Sequence, residues 1–237
     1  MYPLFTALIG AILTAAGVYA APQGPSQETS IAIDHVTVIS VETGVRFEDH
    51  TVVIDGYRIS DVGRSGSVQI PAGARLIDGR NKFLIPGLWD MHIHALLMPS
   101  RTLSLLVAGG ITGIRDMGSS FAAVREARDS GDYRTADRSL HRELQGPVEA
   151  GLTPLDALRT ATLNPAILFN RTHQLGGIDR GKFADLLLLD ADPLVNIANT
   201  TRISTVIANG RLVDAAERQS IIDKEMSLRR AEQPVRR

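Results

Sequence analysis

The sequence of 237 residues contains no cysteine. Disulfides are therefore excluded, and so are thiolate metal sites; a transition metal bound here has to be held by histidine, carboxylate and water. Aromatic residues make up only 5% of the chain, with one tryptophan, and the formal net charge is -1. That balance lacks the positive excess of a nucleic-acid binder, so no nucleic-acid partner is expected. An apolar content of 44% suffices for a buried core and lies away from the profile of a disordered chain. The length allows one or two domains. Histidine, at six residues, and lysine, at three, are scarce enough for each to be weighed singly.

What is present begins with an uncharged apolar run from Leu4 to Val18, followed by Tyr19-Ala20-Ala21-Pro22 and a polar stretch to Ser30. This pattern predicts a signal peptide over residues 1–21 and a secreted or periplasmic protein. No Lys or Arg precedes the run, so a single N-terminal membrane anchor is the alternative, although spanning needs about 20 apolar residues. Asn170-Arg171-Thr172 and Asn199-Thr200-Thr201 fit the glycosylation pattern, which matters only in a eukaryotic secretory pathway.

The stretch Phe83 to Ala95 reads as an apolar strand ending in His92 and His94. Side chains alternate along a strand, so the two histidines share a face at roughly 7 Å and could reach one divalent ion. Pro86-Gly87 marks a break before them, Trp89 and Met91 have the opposite parity, and Asp90 is placed to accept an imidazole N–H. Taken alone, a His-x-His reads first as a pair of solvent-facing or hydrogen-bonded histidines.

Around this strand the patterns are mixed. Ile31 to Val41 alternates apolar and polar residues, and Thr51 to Val62 reads as a hairpin turning on Asp55-Gly56. A second hairpin is predicted at Asn209-Gly210, and the run Ala184 to Leu189 predicts a buried strand. These segments predict a compact β-sandwich composed from both parts of the chain, residues 31–83 and 176–215. Phe121 to Gly131 reads as a helix. Gly146-Pro147 should break or kink a helix that starts near His141, because proline removes a hydrogen bond and clashes with the preceding turn. Thr153, Pro154 and Asp156 spell a helix start, and Asn164-Pro165 should close that helix and open another short turn. The segment 216–237 reads as a charged tail, a fraying helix or disorder from Lys224 onward.

Several of these blocks together resemble the metal-dependent amidohydrolases, most closely the imidazolonepropionase-like and prolidase-like branch. Phe83 to His94 looks like the end of that family's first barrel strand, and Gly109 to Gly118 like its second strand and the following turn. Leu140 to Leu144 and Glu149 to Ala166 resemble the helices after the last barrel strand. Gly176 to Pro193, with Val206 to Gly210, resembles the returning strands of a small β-domain. The resemblance implies a (β/α)8 barrel that hydrolyses a carbon–nitrogen bond in an amide, a cyclic amide or a dipeptide. It implies a divalent ion, zinc foremost, with His92 and His94 as ligands. In the family, a carboxylated lysine or equivalent, two further histidines and an aspartate complete the centre. The metal activates water and polarises the scissile carbonyl, while the aspartate moves the proton.

Such a barrel takes about 250 residues, whereas only 45 positions separate His94 from Leu140. The fold class expected is therefore α/β plus β: a small composite β-sandwich with an incomplete (β/α)8 barrel over residues 84–175. Lys82, Lys182 and Lys224 all fall outside the bridging position. Besides the pair, only His141 lies outside the β-domain stretches, and Asp137 matches the family's aspartate poorly and reads as a surface carboxylate. The resemblance lapses from about Asp132 to Ser139, where the middle of the barrel would be missing. Three readings follow: a hydrolase with an unusual site built from His92, His94, and candidates His141 and Asp137; a non-catalytic remnant with a two-histidine metal-binding or interaction surface; or a β-sandwich domain without chemistry. The cut barrel edge invites pairing with a second copy of the chain.

Overall fold

In the computed structural model, residues 30–93, 100–117 and 139–232 are described. The alternating segment forms β1 (Ile31–Ile39), followed by β2 (Arg46–Asp55), β3 (Arg58–Arg64), β4 (Arg75–Asp78) and β5 (Phe83–Pro86). After the barrel-like region the chain returns as β8 (Leu186–Leu189), a 3-10 helix (Ile197–Thr201), β9 (Ile203–Ala208) and β10 (Arg211–Val213). Hydrogen bonding joins these strands in one mixed sheet of order β10-β9-β8-β5-β1-β2-β3, with β4 also paired to β1. The two parts of the chain meet at β5 and β8, where Phe83 lies opposite Leu189 and Pro86 opposite Leu186. The composite pairing expected from the sequence is present, as a single continuous ladder of eight strands.

Burial on both faces explains the unbroken apolar run of β8. Leu186 and Leu188 pack with Ile33, Val52, Ile54 and Leu84, while Leu187 and Leu189 point the other way and pack with Ile85, Leu88, Leu106 and Leu158. Each of these four leucines is essentially inaccessible, and such burial contributes about 1.5–3 kcal/mol per side chain.

The sheet also curls back on itself. Ile59 donates to the Lys182 carbonyl at 2.9 Å and accepts from the Gly181 N–H at 2.8 Å, and Ala184 donates to Tyr57 at 2.9 Å. The free edge of β3 thus meets the segment that leads into β8. Both predicted hairpins form, the first with Asp55 opposite Arg58, so that its turn residues are Gly56 and Tyr57, one position later than expected. In the second, Asn209 and Gly210 have φ of 50° and 79°, the positive values that a tight two-residue hairpin requires. The tips of the two hairpins touch: a Cβ on Gly210 would overlap the Gly56 carbonyl.

The barrel-like part starts at β6 (Leu88–Ile93), which α1 (Ser100–Ala108) links to β7 (Ile111–Asp116) as a parallel βαβ unit. The break marked in sequence at Pro86-Gly87 therefore divides Phe83 to Ile93 into two strands. β5 belongs to the large sheet, β6 to a separate pair, and the chain turns at Gly87, against which Thr112 packs so tightly that a Cβ would collide with it. The composite sheet consequently extends to Pro86, beyond the expected boundary at 83.

The helices α2 (Ser139–Glu149), α3 (Pro154–Thr160) and α4 (Leu163–Leu168) cover one face of this unit. Two sequence expectations are corrected here. α2 runs through Pro147 to Glu149 without breaking there, and past the proline Ala150 N–H donates to the Gly146 carbonyl at 2.9 Å. α3 ends at Thr160, before Asn164-Pro165, which sits inside α4. The predicted cap holds: the Thr153 hydroxyl accepts from the Asp156 N–H at 3.1 Å, with Pro154 at the first helical position. The C-terminal segment is helical as α5 (Ala215–Glu232), continuing well past the expected fraying point at Lys224. Among the described residues no helix is long and apolar enough to cross a membrane. Residues 1–21 and the helix expected at Phe121 to Gly131 lie outside the described residues.

Candidate metal centre

β6 carries His92, and the path of that strand departs from plain alternation. Its ladder with β7 pairs Asp90 with Ile114 and then Ile93 with Asp116, three residues against two, so an extra residue is accommodated in between. Leu88 and Ile93, of opposite parity, both enter the same core cluster. His92 is correspondingly turned outward and exposed, with buried Ile93 beside it. The simple rule that places His92 and His94 on one face thus meets a bulge at His92 itself, and His94 lies outside the described residues.

Asp90 is buried, and its Oδ1 accepts the backbone N–H of His92 at 3.0 Å. The carboxylate thereby fixes the backbone at the bulge. Trp89 packs across Gly113, where a Cβ would overlap the indole, and its ring lies 5.7 Å from that of Phe169. At the base of the strand, Gly87 donates to the Asp185 carbonyl at 2.7 Å. Burial pushes the Asp185 carboxyl up, opposed by the Asn209 N–H that it accepts at 2.7 Å.

His141, the other histidine considered as a ligand, is 6% exposed in α2. Its Nδ1 lies 3.0 Å from Thr200 Oγ1 and its Nε2 2.8 Å from the Gly109 carbonyl. A carbonyl only accepts, so Nε2 carries a hydrogen, and both ring nitrogens are committed. His141 is a structural cross-brace between α2, the α1–β7 turn and the 3-10 helix. Its role was invisible in sequence because the partners are 32 and 59 residues away. Asp137 lies outside the described residues. Lys182 pairs with Asp179 at 2.9 Å, far in function from a bridging ligand.

The described residues do not fit a catalytic metal. No three His, Asp or Glu side chains among them are grouped to hold an ion, against the three protein ligands usual in catalytic zinc sites. Sequence reasoning also passed over an apolar groove of about 390 Å³ beside the strand, lined by Met91, Thr160, Asn164, Pro165, Ile167 and Leu168. Its signal was the dense apolar run Ala166-Ile167-Leu168-Phe169, three of whose members remain exposed. The second glycosylation triplet is spoken for structurally: Asn199 Nδ2 donates to the Asp192 carbonyl at 2.8 Å and Thr200 is fully buried.

Comparison with known proteins gives a consistent picture. The sequence profile of the Amidohydrolase family matches residues 115–213. An imidazolonepropionase of Geobacillus sp. is 32% identical over 123 residues, which is 50% of this chain and 28% of the relative. An adenine deaminase of Rubrobacter xylanophilus is 38% identical over 64 residues, 27% of this chain and 11% of its own length. The chain thus spans less than a third of the curated relatives that it matches. Among solved structures, that of a prolidase-like protein from Bifidobacterium longum superposes with a TM-score of 0.63 at 15% identity, covering 84% of this chain and 99% of the other. A molinate hydrolase gives the same score and identity over 78% and 95%. At such identity these two likenesses concern the fold alone.

Proposed function

Because this chain belongs to the amidohydrolase superfamily, we propose that it descends from a metal-dependent hydrolase of carbon–nitrogen bonds and is itself impaired or inactive. The substrate class is a small amide, cyclic amide or dipeptide. The observation that carries the reading is His92, exposed on a bulged parallel strand at the end of a βαβ unit, with no second and third ligand grouped around it among the described residues. His92 and His94 are the proposed metal ligands and zinc the proposed ion.

Three further proposals accompany this reading. The apolar run at Leu4 to Val18 supports a signal peptide and a secreted or periplasmic location, a membrane anchor being the alternative. Self-contact of the curled sheet supports describing the composite β-domain as a small sandwich. Exposed Ile114 and Met117 beside β7 support pairing of two copies at the barrel edge, which sedimentation at increasing concentration tests: a monomer throughout removes it.

The decisive experiment is metal analysis of the purified full chain together with His92→Ala and His94→Ala. We expect bound divalent metal that falls in both variants, and no turnover of dipeptides, N-acyl amino acids or cyclic amides. Absence of metal in the wild-type protein removes the metal centre; turnover abolished by either substitution removes the proposed impairment.

A further inference from the structure

The two Asn-x-Thr triplets of the sequence are treated in opposite ways by the fold. At the second, Asn199 Nδ2 donates to the Asp192 carbonyl at 2.8 Å, and the Thr201 hydroxyl donates to the Ala198 carbonyl at 2.7 Å, both within the 3-10 helix and its approach. Amide and hydroxyl are engaged there. The first triplet is open: Asn170, Arg171 and Thr172 are three consecutive exposed residues in the turn that follows α4.

Backbone bonds hold that turn. The Asn170 N–H donates to the Ile167 carbonyl at 2.9 Å and the Arg171 N–H to the Ala166 carbonyl at 2.8 Å, the paired bonds that end a helix on a left-handed residue. Asn170 supplies that residue, with φ of 54°. Helix termination thus accounts for asparagine or glycine at 170, but it asks nothing of Thr172 two residues later.

The residues before Asn170 give an attached group something to do. Ile167, Leu168 and Phe169 are 58%, 62% and 40% exposed, and the first two line the apolar groove with Met91 and Pro165. Contiguous exposed apolar surface favours association with other molecules. We propose that Asn170 is the acceptor of an N-linked oligosaccharide, and that the sugar screens the Ile167–Phe169 ridge. The proposal rests on the secretory reading of residues 1–21, with passage through a eukaryotic secretory pathway. In the transfer, Asn170 Nδ2 bonds to the anomeric carbon of a lipid-diphosphate-linked oligosaccharide. The bond from that carbon to the diphosphate oxygen breaks, the lipid diphosphate leaves with the electron pair, and the amide gives up one proton. A bulky, strongly hydrated group then stands one residue from Phe169.

Secretion of the full chain by a eukaryotic host tests the site, alongside a form in which a leader of established function replaces residues 1–21. The secreted protein should lose mass in one step under an amidase that releases N-linked sugars, and peptide mapping should find the resulting aspartate at position 170 alone. Thr172→Ala should abolish the shift without touching the helix cap, and Asn170→Gly, which also suits left-handed backbone, should do the same. Thr201→Ala should leave it unchanged. In sedimentation, unglycosylated Thr172→Ala should self-associate at lower concentration than the glycosylated wild type. Secretion without modification at Asn170 overturns the acceptor. Secretion only behind the foreign leader overturns the secretory reading and, with it, modification of the native chain. Equal self-association of the two proteins overturns the screening.

Discussion

The composite sheet and the β6–β7 unit draw on the same apolar residues, and they differ in how their edges and faces end. The sheet buries both faces of its central strands and returns its β3 edge to residues 181–184, sealing the seam with two hairpin tips. The parallel pair buries Leu88, Ile93 and Ile111 in one cluster with Leu106 of α1, while on other sides His92, Ile114 and Met117 are exposed. Parallel strands are ordinarily covered on both faces. Among the described residues, the part that closes on itself is the sheet, and exposed His92 lies on the parallel pair.

The sharpest way to break this comparison is at the seam. Gly210→Ala introduces a Cβ into the Gly56 carbonyl at a residue with φ of 79°, and should cost about 3 kcal/mol or more in urea unfolding. Gly181→Ala, at φ of 87° but with open space around it, should cost about 1–2 kcal/mol. Equal costs would mean that the tips do not seal the sheet.

Next in size is the contrast between two histidines. His141→Ala strands the Gly109 carbonyl and removes one partner of the Thr200 hydroxyl, which keeps its bond to the Ile197 carbonyl, and should cost about 1–3 kcal/mol, whereas exposed His92→Ala should cost less. The reverse order would reassign scaffold and site. Arg218→Ala should cost about 1–2 kcal/mol, because the guanidinium donates to the Ala108 carbonyl at 2.8 Å and the Ile203 carbonyl at 2.5 Å, tying α5 to both parts. Amide exchange would show the loss concentrated in α5.

The smallest effect is a pH dependence at Asp185, whose carboxyl is pushed up by burial. Its contribution is fully present below the unfolded value, about 3.9, and is lost as pH rises through the higher folded value. Asp185→Asn should therefore match the wild type below pH 4 and exceed it at pH 7 in melting temperature.

Local chemistry was the legible part. Alternation in Ile31 to Ile39, the Asn209-Gly210 turn and the Thr153 cap each involve neighbours within a few residues, and each is where the sequence placed it. The break at Pro86-Gly87 was legible, but the assignment of β5 and β6 to different sheets depends on their partners β8 and β7. The bulge at His92 is likewise a property of the β6–β7 register, and the commitment of His141 depends on Gly109 and Thr200. For the candidate site, the exposure of His92 and the hydrogen bonds of His141 are tertiary facts that the sequence pattern does not carry.

The pairing of β5 with β8 has a consequence in time. Leu186 follows Pro86 by 100 residues in the chain, which at the usual synthesis rate of about 5–20 residues per second is a delay of roughly 5–20 s. Throughout that interval β1 to β5 would emerge with one apolar edge unfilled, so the nascent chain is a natural client for whatever shields exposed strands. The last strands to be made are the ones that allow the first to finish folding.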